Sequence, residues 1–499
     1  MRVLFIGRTD QFDGKSSLTN LAMSLMGLML KRDPEMQVTW TVPTGTPDDL
    51  IAANLLAPLG EAAQRVKVVK CQATFGGRLL GYFLSEPLYH LLAQTKTTTP
   101  YDVILCNQPA LMPLYRTLLR NKYQAARYNV STPIVGWQLW VASDRIRKTM
   151  EEYVNSDEDI LAESMGSMAA DQNVWESSFM LDDHLQTVRK WLSPAAIRHI
   201  RDTSVMVSEG VDVEGVRKVA LQARLDRAAD GGMPGLFWGA RLANQKKPRT
   251  TFPLMREVVG QMEGRVYPLV STSTAEGGGQ GQWAKGNFPD LNVRFDQSRS
   301  QFVMNMRQGD VFMSNSPYES YGIGWLEMLA AGMLGVFERA FWTDMLLPDW
   351  YPFVTEDPKE QVQMAVALLR DWPNGPLWQE YVPKVRQWLD EEHDERVQAE
   401  RFLEVLHKAY RQGLEEDEPL ARSSIGGVAA QAAEALWDGS TPIPEEDVFA
   451  KMQELSDANR DWGKKGDMIT RFYLRRCLQL RGWKDTCQSS EVEFVKEEA

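Results

Sequence analysis

The sequence is poor in cysteine and histidine, the residues that build disulfide frameworks and most transition-metal sites. It has four cysteines and five histidines among 499 residues. The cysteines are scattered, and no pair of histidines has the short spacing of a helical zinc site. A disulfide scaffold is therefore not expected in a chain of this length, a reducing compartment is favoured, and no protein-bound metal is predicted.

The chain also lacks long hydrophobic runs and an excess of basic residues. No apolar stretch approaches the roughly 20 residues that span a bilayer. The N-terminal run in MRVLFIGRTDQ ends at a glycine after the length of one strand, which is not a signal-peptide pattern. The formal net charge of −12 argues against a broad nucleic-acid-coating surface but leaves room for one local basic cleft. These features predict a soluble protein of the cytoplasm, or of the host cytoplasm if its source is viral.

What the sequence does contain is a regular alternation of strand-like and helix-like segments. Six short apolar runs in the first half have the length of buried parallel strands: 3–6, 37–42, 66–70, 103–106, 133–138 and 204–208. A Gly/Pro turn at 228–234 is followed by a second series of strands: 235–239, 265–271, 292–295, 310–314 and 334–338. Helical patterns separate the strands, at 17–31, 109–121, 252–263 and 298–306. The alternation indicates two doubly wound α/β domains in tandem.

The domain limits follow from these changes in pattern. Residues 1–228 form the first domain, 235–410 the second, and 411–499 a charged helical extension that begins near an acidic connector at 414–420. A last helix is predicted at 464–483, rich in lysine and arginine. Its basic residues fit an ordinary solvated face, or a basic edge that touches an anionic acceptor or a membrane surface.

The segment most indicative of function is SNSPYESYGIGWLEMLAAG at 314–332. A predicted strand enters a loop that contains Glu319, and Gly322 opens a helix that contains Glu327. Ligands of open α/β sheets bind just beyond the carboxyl ends of strands, where the free N–H groups of a helix N-terminus attract anions. The two carboxylates suit a polyhydroxylated ligand, although this spacing alone fits one loop glutamate and one helix-surface glutamate equally well.

In its full extent the segment resembles the signature of the retaining glycosyltransferase group 1 family, the E-x7-E type, which runs P-S-x-x-E-G-F-G-x-x-x-x-E-A-M-A-x-G. FWGARLANQK at 237–246 is similar to the G-R-L-x-x-x-K of that family, and SEGVD at 208–212 is similar to its N-G-V-D. The resemblance covers roughly residues 200–360, and the first domain matches by architecture alone. The positions in register in the first motif are Ser316, Glu319, Tyr321, Gly322, Glu327, Ala330 and Gly332.

This resemblance implies the GT-B fold, in which two Rossmann-like domains face each other across a cleft, here with a helical C-terminal extension. It implies that Arg241 and Lys246 neutralise the leaving diphosphate, that Glu319 holds the transferred sugar, and that Glu327 binds the ribose. The co-substrate is a nucleoside diphosphate sugar, and no metal is required. Donor-binding positions would also include Gly14 in the first domain and the backbone of Ser320, Tyr321, Gly322 and Ile323.

The chain departs from the family pattern in several places, so the resemblance is that of a divergent, phage-like member. Asn315 and Leu334 stand where the family has proline, and the usual glycine pair after the first strand is reduced to Gly14. Where many members have a histidine near the reaction centre, this chain has PIVGWQL at 133–139, in which Gln138 is the candidate acceptor-side residue. The Gly14-Lys15-Ser16 sequence resembles the end of a P-loop, but Thr9 occupies the position of the required first glycine.

The predicted function is therefore transfer of a hexose or pentose from a nucleoside diphosphate sugar to a hydroxyl group, with retention of configuration. The acceptor stays open: a small molecule, glycan or lipid-linked sugar, or a hydroxymethylated pyrimidine base in DNA, as in certain phage enzymes. A non-catalytic nucleotide-sugar-binding protein is the alternative from another class.

Overall fold

A computed structural model describes residues 1–7, 17–74, 82–83, 101–116, 132–139, 157–421, 424–455, 474, 478–479, 483–486 and 493–496. Gly14 and the Gly-Lys-Ser sequence that contains it lie outside these residues, as does most of the helix predicted at 464–483. The predicted helix at 109–121 is described as far as residue 116, and it begins with a 3-10 turn at Pro109–Leu111.

The first half of the chain forms a parallel sheet whose central strands are buried on both faces. Across this sheet the strands lie in the order β3-β2-β1-β6-β7-β8-β9. The strand order therefore reverses beside β1, which is where ligands of such sheets bind. A short antiparallel pair, β4 with β5, lies apart from this sheet. The strands are β1 (Arg2–Ile6), β2 (Gln37–Pro43), β3 (Val66–Cys71), β4 (Ala73–Thr74), β5 (Tyr82–Phe83), β6 (Val103–Cys106), β7 (Ile134–Gln138), β8 (Gln172–Trp175) and β9 (Ser204–Met206).

A second parallel sheet follows in the order β12-β11-β10-β13-β14-β15. Its strands are β10 (Gly235–Gly239), β11 (Tyr267–Ser271), β12 (Val293–Arg294), β13 (Val311–Ser314), β14 (Leu334–Glu338) and β15 (Val354–Thr355). All strands predicted from sequence are confirmed within a few residues at their ends. Of the strands in the two parallel sheets, β8 and β15 were not predicted.

The helices cover the faces of the two sheets and continue beyond the second one. Among the described residues, the α-helices of six or more residues are Ser17–Arg32, Asp157–Ala169, Ser178–Val188, Pro194–Asp202, Gln222–Ala229, Pro248–Gln261, Gly279–Asn287, Arg299–Asn305, Ile323–Ala330, Phe341–Leu346, Pro358–Asp371, Pro376–Trp388, Glu395–Ala421, Ser424–Leu436 and Glu445–Leu455. No helix among the residues described is both long and apolar enough to cross a membrane.

The helix Glu395–Ala421 returns to the first sheet. Its residues Ala399, Phe402 and Leu406 are buried in the core that contains Phe5 and Trp137 of β1 and β7. The rings of Trp137 and Phe402 pack edge to face, with 5.1 Å between their centroids. The helix therefore crosses the predicted limit at 410 without a break and adds to the core of the first domain.

Two predictions for the C-terminal region need correction. The acidic stretch at 414–420 is part of the helix Glu395–Ala421 rather than a connector outside helical structure. Trp483, predicted as the end of a helix, begins a strand, because its buried side chain belongs to a small core under an antiparallel sheet. That sheet comprises β16 (Ile443–Pro444), β17 (Trp483–Thr486) and β18 (Glu493–Lys496), so the extension is not purely helical.

A buried ion pair fixes the start of β13 to the helix Gln222–Ala229. Asp310 is fully buried and accepts hydrogen bonds from Arg224 at 3.0 and 2.8 Å and from the backbone N–H of Gly235 at 2.7 Å. Burial lowers the pKa of the Arg224 guanidinium, against the opposing charge of Asp310. The pair joins the segment between the sheets to the strand that leads into the candidate site.

Candidate active site

A cavity of about 500 Å³ lies at the carboxyl ends of the strands of the second sheet and is closed on one side by the first domain. The second domain supplies Arg241, Lys246, Ser273, Arg299, Glu319, residues 320–325 and Glu327, among others. The first domain supplies Leu21, Leu139, Glu176 and Glu209. The cavity thus occupies the cleft position that parallel α/β domains use for ligands.

The loop after β13 is held in place by hydrogen bonds of its buried polar residues. The Ser316 hydroxyl contacts the carbonyls of Gln245, at 3.2 Å, and Tyr318, at 2.9 Å. Trp342 Nε1 donates to the Ser316 carbonyl at 2.8 Å. Asn315, which replaces the proline of the family pattern, donates to Gln361 at 2.8 Å. This buried side-chain bond fixes the backbone at that position.

Gly322 turns the chain into the helix Ile323–Ala330. Its φ of 79° lies in the left-handed region that glycine adopts without a steric penalty. The first N–H groups of a helix have no acceptor within the helix, and here the segment that carries them lines the cavity. The predicted anion-binding backbone of Ser320, Tyr321, Gly322 and Ile323 is therefore at the cavity wall.

Glu319 and Lys246 come together although 73 residues separate them. The Lys246 ammonium contacts both carboxylate oxygens, and Trp325 Nε1 donates to Glu319 Oε1 at 3.0 Å. Glu319 is 6% exposed, so its charge is compensated by direct partners rather than by water. The loop carboxylate is thereby held in one orientation at the cavity wall.

Arg241 lies at the exposed rim of the same cavity, just beyond β10. The neighbouring N–H of Leu242 donates to Thr274 at 2.8 Å, which fixes the backbone that carries the arginine. Arg241 and Lys246 thus place two cations on the cavity wall near the helix that begins at Ile323. This arrangement can stabilise a diphosphate.

Glu327 is fully buried and pairs with Arg299, which is half-exposed at the start of its helix. Arg299 was not predicted as a site residue. The local sequence indicated only a helix start there, because Ser298 and Gln301 form a capping box. The pairing with Glu327 spans 28 residues, so no local pattern indicates it.

Glu176 and Glu209 are buried carboxylates that line the cavity from the first domain, and they too were not predicted. Each follows the end of a strand, β8 and β9 respectively. Glu176 was missed with its strand, because β8 has the polar sequence QNVW. Asn173 is buried within it and donates to the Ser167 carbonyl at 2.8 Å and to Thr203 at 3.1 Å.

The two domains also meet directly at this site. Ser177 of the first domain donates its hydroxyl hydrogen to the Ser320 carbonyl at 2.8 Å. The Tyr321 hydroxyl is hydrogen-bonded to Nδ1 of His393. Burial raises the pKa of Tyr321, and burial together with the charge of Arg401 lowers the pKa of His393 to about 4. Both side chains are therefore neutral at pH 7.

Gln138 does not lie at the cavity. Its side chain is fully buried at the end of β7, where Nε2 donates to Asn173 at 2.9 Å. An acceptor-side role does not fit this position. Leu139, the next residue, does line the cavity. Among the described residues, no three or more histidine, cysteine, aspartate or glutamate side chains are grouped as metal ligands.

Solved structures with low sequence identity share this architecture. HepE from Anabaena in complex with UDP is 14% identical, with a TM-score of 0.57 over 82% of this chain and 100% of that chain. Sucrose-phosphate synthase from Thermosynechococcus elongatus is 14% identical, with a TM-score of 0.57 over 83% and 100%. A glycosyltransferase from Rickettsia africae is 12% identical, with a TM-score of 0.56 over 82% and 98%.

No protein-family model matches the chain, and no curated protein matches it significantly. The structural similarity extends over nearly the whole of each solved chain and includes both parallel sheets, of seven and six strands. The chain accordingly has the GT-B fold, in which two Rossmann-like domains face each other across a cleft.

Proposed function

We propose that this chain is a glycosyltransferase that moves a sugar from a nucleoside diphosphate sugar to a hydroxyl acceptor with retention of configuration. The observation that carries the proposal is the grouping of Lys246, Glu319, Glu327 and the Gly322 helix start around one cavity. Lys246 comes from a different segment than the other three, and each residue is of a type that suits a nucleotide sugar. HepE, which has a similar fold, has been solved with UDP and with UDP-glucose, which supports a nucleotide sugar as the ligand.

The donor diphosphate would lie at the helix N-terminus beside Arg241 and Lys246. As the glycosidic bond breaks, negative charge develops on the β-phosphate, and these cations and the helix N–H groups stabilise it without rearrangement. Lys246 can serve the phosphate while it stays beside Glu319, because an ammonium group has three donors. Glu327, oriented by Arg299, would accept hydrogen bonds from the ribose hydroxyls.

Glu319 is suited to holding the sugar rather than attacking it. Its carboxylate already accepts hydrogen bonds from Lys246 and Trp325, which lowers its nucleophilicity while leaving lone pairs for sugar hydroxyls. The acceptor oxygen would then bond to the anomeric carbon on the face from which the diphosphate leaves. The electron pair of the broken bond goes to the phosphate oxygen, and that oxygen takes the acceptor's proton.

A thermal-shift screen against UDP-, ADP-, GDP- and TDP-sugars tests this proposal. A ligand that binds only the folded state raises the apparent stability with its concentration. We expect one nucleotide class to raise the melting temperature saturably and Lys246→Ala to weaken that effect. Lys247→Ala is the matched control, because Lys247 pairs with Glu338 at 3.2 Å and does not line the cavity. No shift with any nucleotide sugar would contradict the proposal.

A further inference from the structure

A second, smaller cavity of about 200 Å³ adjoins the first. The two cavities share Glu176, Glu319, Ser320 and Tyr321 in their walls. Glu319 is the residue proposed to hold the transferred sugar. A molecule in the second cavity would therefore lie beside that sugar. The second cavity is therefore placed to hold the other substrate of the reaction.

Both domains and the returning helix build this cavity. The first domain contributes Ser177, Phe179 and Met206, the second contributes Trp342 and Met345, and the helix Glu395–Ala421 contributes Arg401. Because its walls come from both sides of the cleft, a bound molecule would contact both domains.

The cavity combines apolar surface with hydrogen-bonding groups. Phe179 is packed against Tyr318 and Phe341, with ring centroids 4.8 and 5.2 Å away. Met206 and Met345 are each 40% exposed, although both are large apolar side chains. A pyranose ring presents C–H groups that suit such contacts, and its hydroxyls require polar partners.

The charges in this cavity are unfavourable for an anion. Three glutamates, Glu176, Glu319 and Glu392, line it, and Lys246 compensates the charge of Glu319. Among its described lining residues, Arg401 is the only lysine or arginine, and the buried His393 is neutral at pH 7. A phosphorylated sugar or a DNA backbone would meet Glu176 and Glu392 against one arginine, whereas the hydroxyls of a neutral sugar can donate to carboxylates.

We propose that the second cavity is the acceptor subsite and that it takes an uncharged sugar ring. The inference rests on the proposed glycosyl transfer. One hydroxyl of the acceptor ring bonds to the anomeric carbon of the donor as the bond to the diphosphate breaks, and its proton passes to the departing phosphate. The acceptor ring lies between the apolar walls of the two domains, and Arg401 donates to its oxygens.

The test uses the full chain saturated with the nucleoside diphosphate of the donor that the thermal-shift screen selects. It measures binding of methyl α-D-glucopyranoside, methyl α-D-galactopyranoside and methyl α-D-mannopyranoside by saturation-transfer NMR. Glucose 6-phosphate and a duplex containing 5-hydroxymethylcytosine are the charged comparisons. In Met345→Trp an indole narrows the cavity. Met165→Trp is the matched control, since Met165 is 46% exposed and lines neither cavity.

We expect at least one methyl hexoside to bind to wild type, at least tenfold more weakly to Met345→Trp and equally well to Met165→Trp. Binding of the nucleoside diphosphate should be equal in all three proteins. Both charged probes should bind more weakly than that hexoside. Absence of hexoside binding, an unchanged dissociation constant in Met345→Trp, or tighter binding of either charged probe would overturn the inference. Absence of a thermal shift with every nucleotide sugar of the screen would overturn the proposed function together with it, so the two failures are distinguishable.

Discussion

Lys246 contacts both carboxylate oxygens of Glu319 across the end of the second sheet. The lysine follows β10 and the glutamate follows β13, and these two strands are neighbours in the sheet. Parallel strands bring their carboxyl ends to one edge, so residues far apart in sequence meet there. The pair joins the predicted phosphate-binding residue to the predicted sugar-binding residue.

We predict that Lys246→Ala lowers the rate of sugar transfer by about 100-fold to 1000-fold, the range seen when one preorganised charge-stabilising group is removed. Steady-state kinetics with the donor identified by the thermal screen measure the effect. Lys247→Ala should retain wild-type kinetics. A Lys246→Ala protein with a wild-type turnover rate would exclude the lysine from charge stabilisation.

We predict that Arg299→Ala raises the Michaelis constant for the donor about tenfold with a small effect on turnover. The substitution leaves the buried Glu327 carboxylate without its cation, so its orientation toward the ribose is lost at a cost of about 1–3 kcal/mol. Initial-rate measurements at varied donor concentration separate the two constants. Arg256→Ala, which removes an exposed ion pair with Asp290, is the control. An unchanged Michaelis constant in Arg299→Ala would show that the arginine does not act through Glu327.

We predict that Arg224→Ala destabilises the fold by on the order of 3 kcal/mol, because it leaves Asp310 buried with Arg227 as its remaining cation. Arg265→Ala should cost less than about 1 kcal/mol, since its pair with Glu263 is exposed. Urea denaturation measures both free energies of unfolding. Equal midpoints for the two variants would contradict the importance of the buried pair.

His393 gives stability a pH dependence of known sign. Burial and then Arg401 lower its pKa from 6.5 to about 4, so between these values the unfolded chain binds a proton that the folded chain does not. Stability therefore rises with pH across this window, by about 1.4 kcal/mol per pH unit for one such histidine.

We predict that His393→Gln has a smaller loss of stability than wild type when the pH falls from 6.5 to 4. Urea titrations at several pH values compare the two slopes. His407→Gln is the control, because the His407 side chain is more exposed. If the free energy of unfolding falls equally with pH in wild type and in His393→Gln, this histidine is not a neutral buried group.

Local sequence pattern was sufficient for the strands made of continuous apolar residues. β10 and β14 were predicted with their observed limits, because both are apolar and buried along most of their length. β8 was not, because Gln172 and Asn173 are polar and are buried only with tertiary hydrogen bonds, which sequence periodicity does not contain.

The residues of the candidate site were likewise predictable only where they belong to a local sequence motif. Arg241, Lys246, Glu319 and Glu327 belong to recognisable motifs, and the structure places all four at one cavity. Arg299, Glu176 and Glu209 reach that cavity through packing between elements and between domains. Gln138 had the expected position in sequence, yet its side chain faces Asn173 in the interior.

The most direct measurement is a calorimetric titration of the wild-type chain and of Glu327→Ala with the nucleotide sugar selected by the thermal screen. Glu338→Ala is the control, because Glu338 pairs with Lys247 and does not line the cavity. We predict saturable binding to wild type and Glu338→Ala and at least tenfold weaker binding to Glu327→Ala. Absence of binding to wild type, or equal affinity in Glu327→Ala, would contradict the assignment of this cavity as a nucleotide-sugar site.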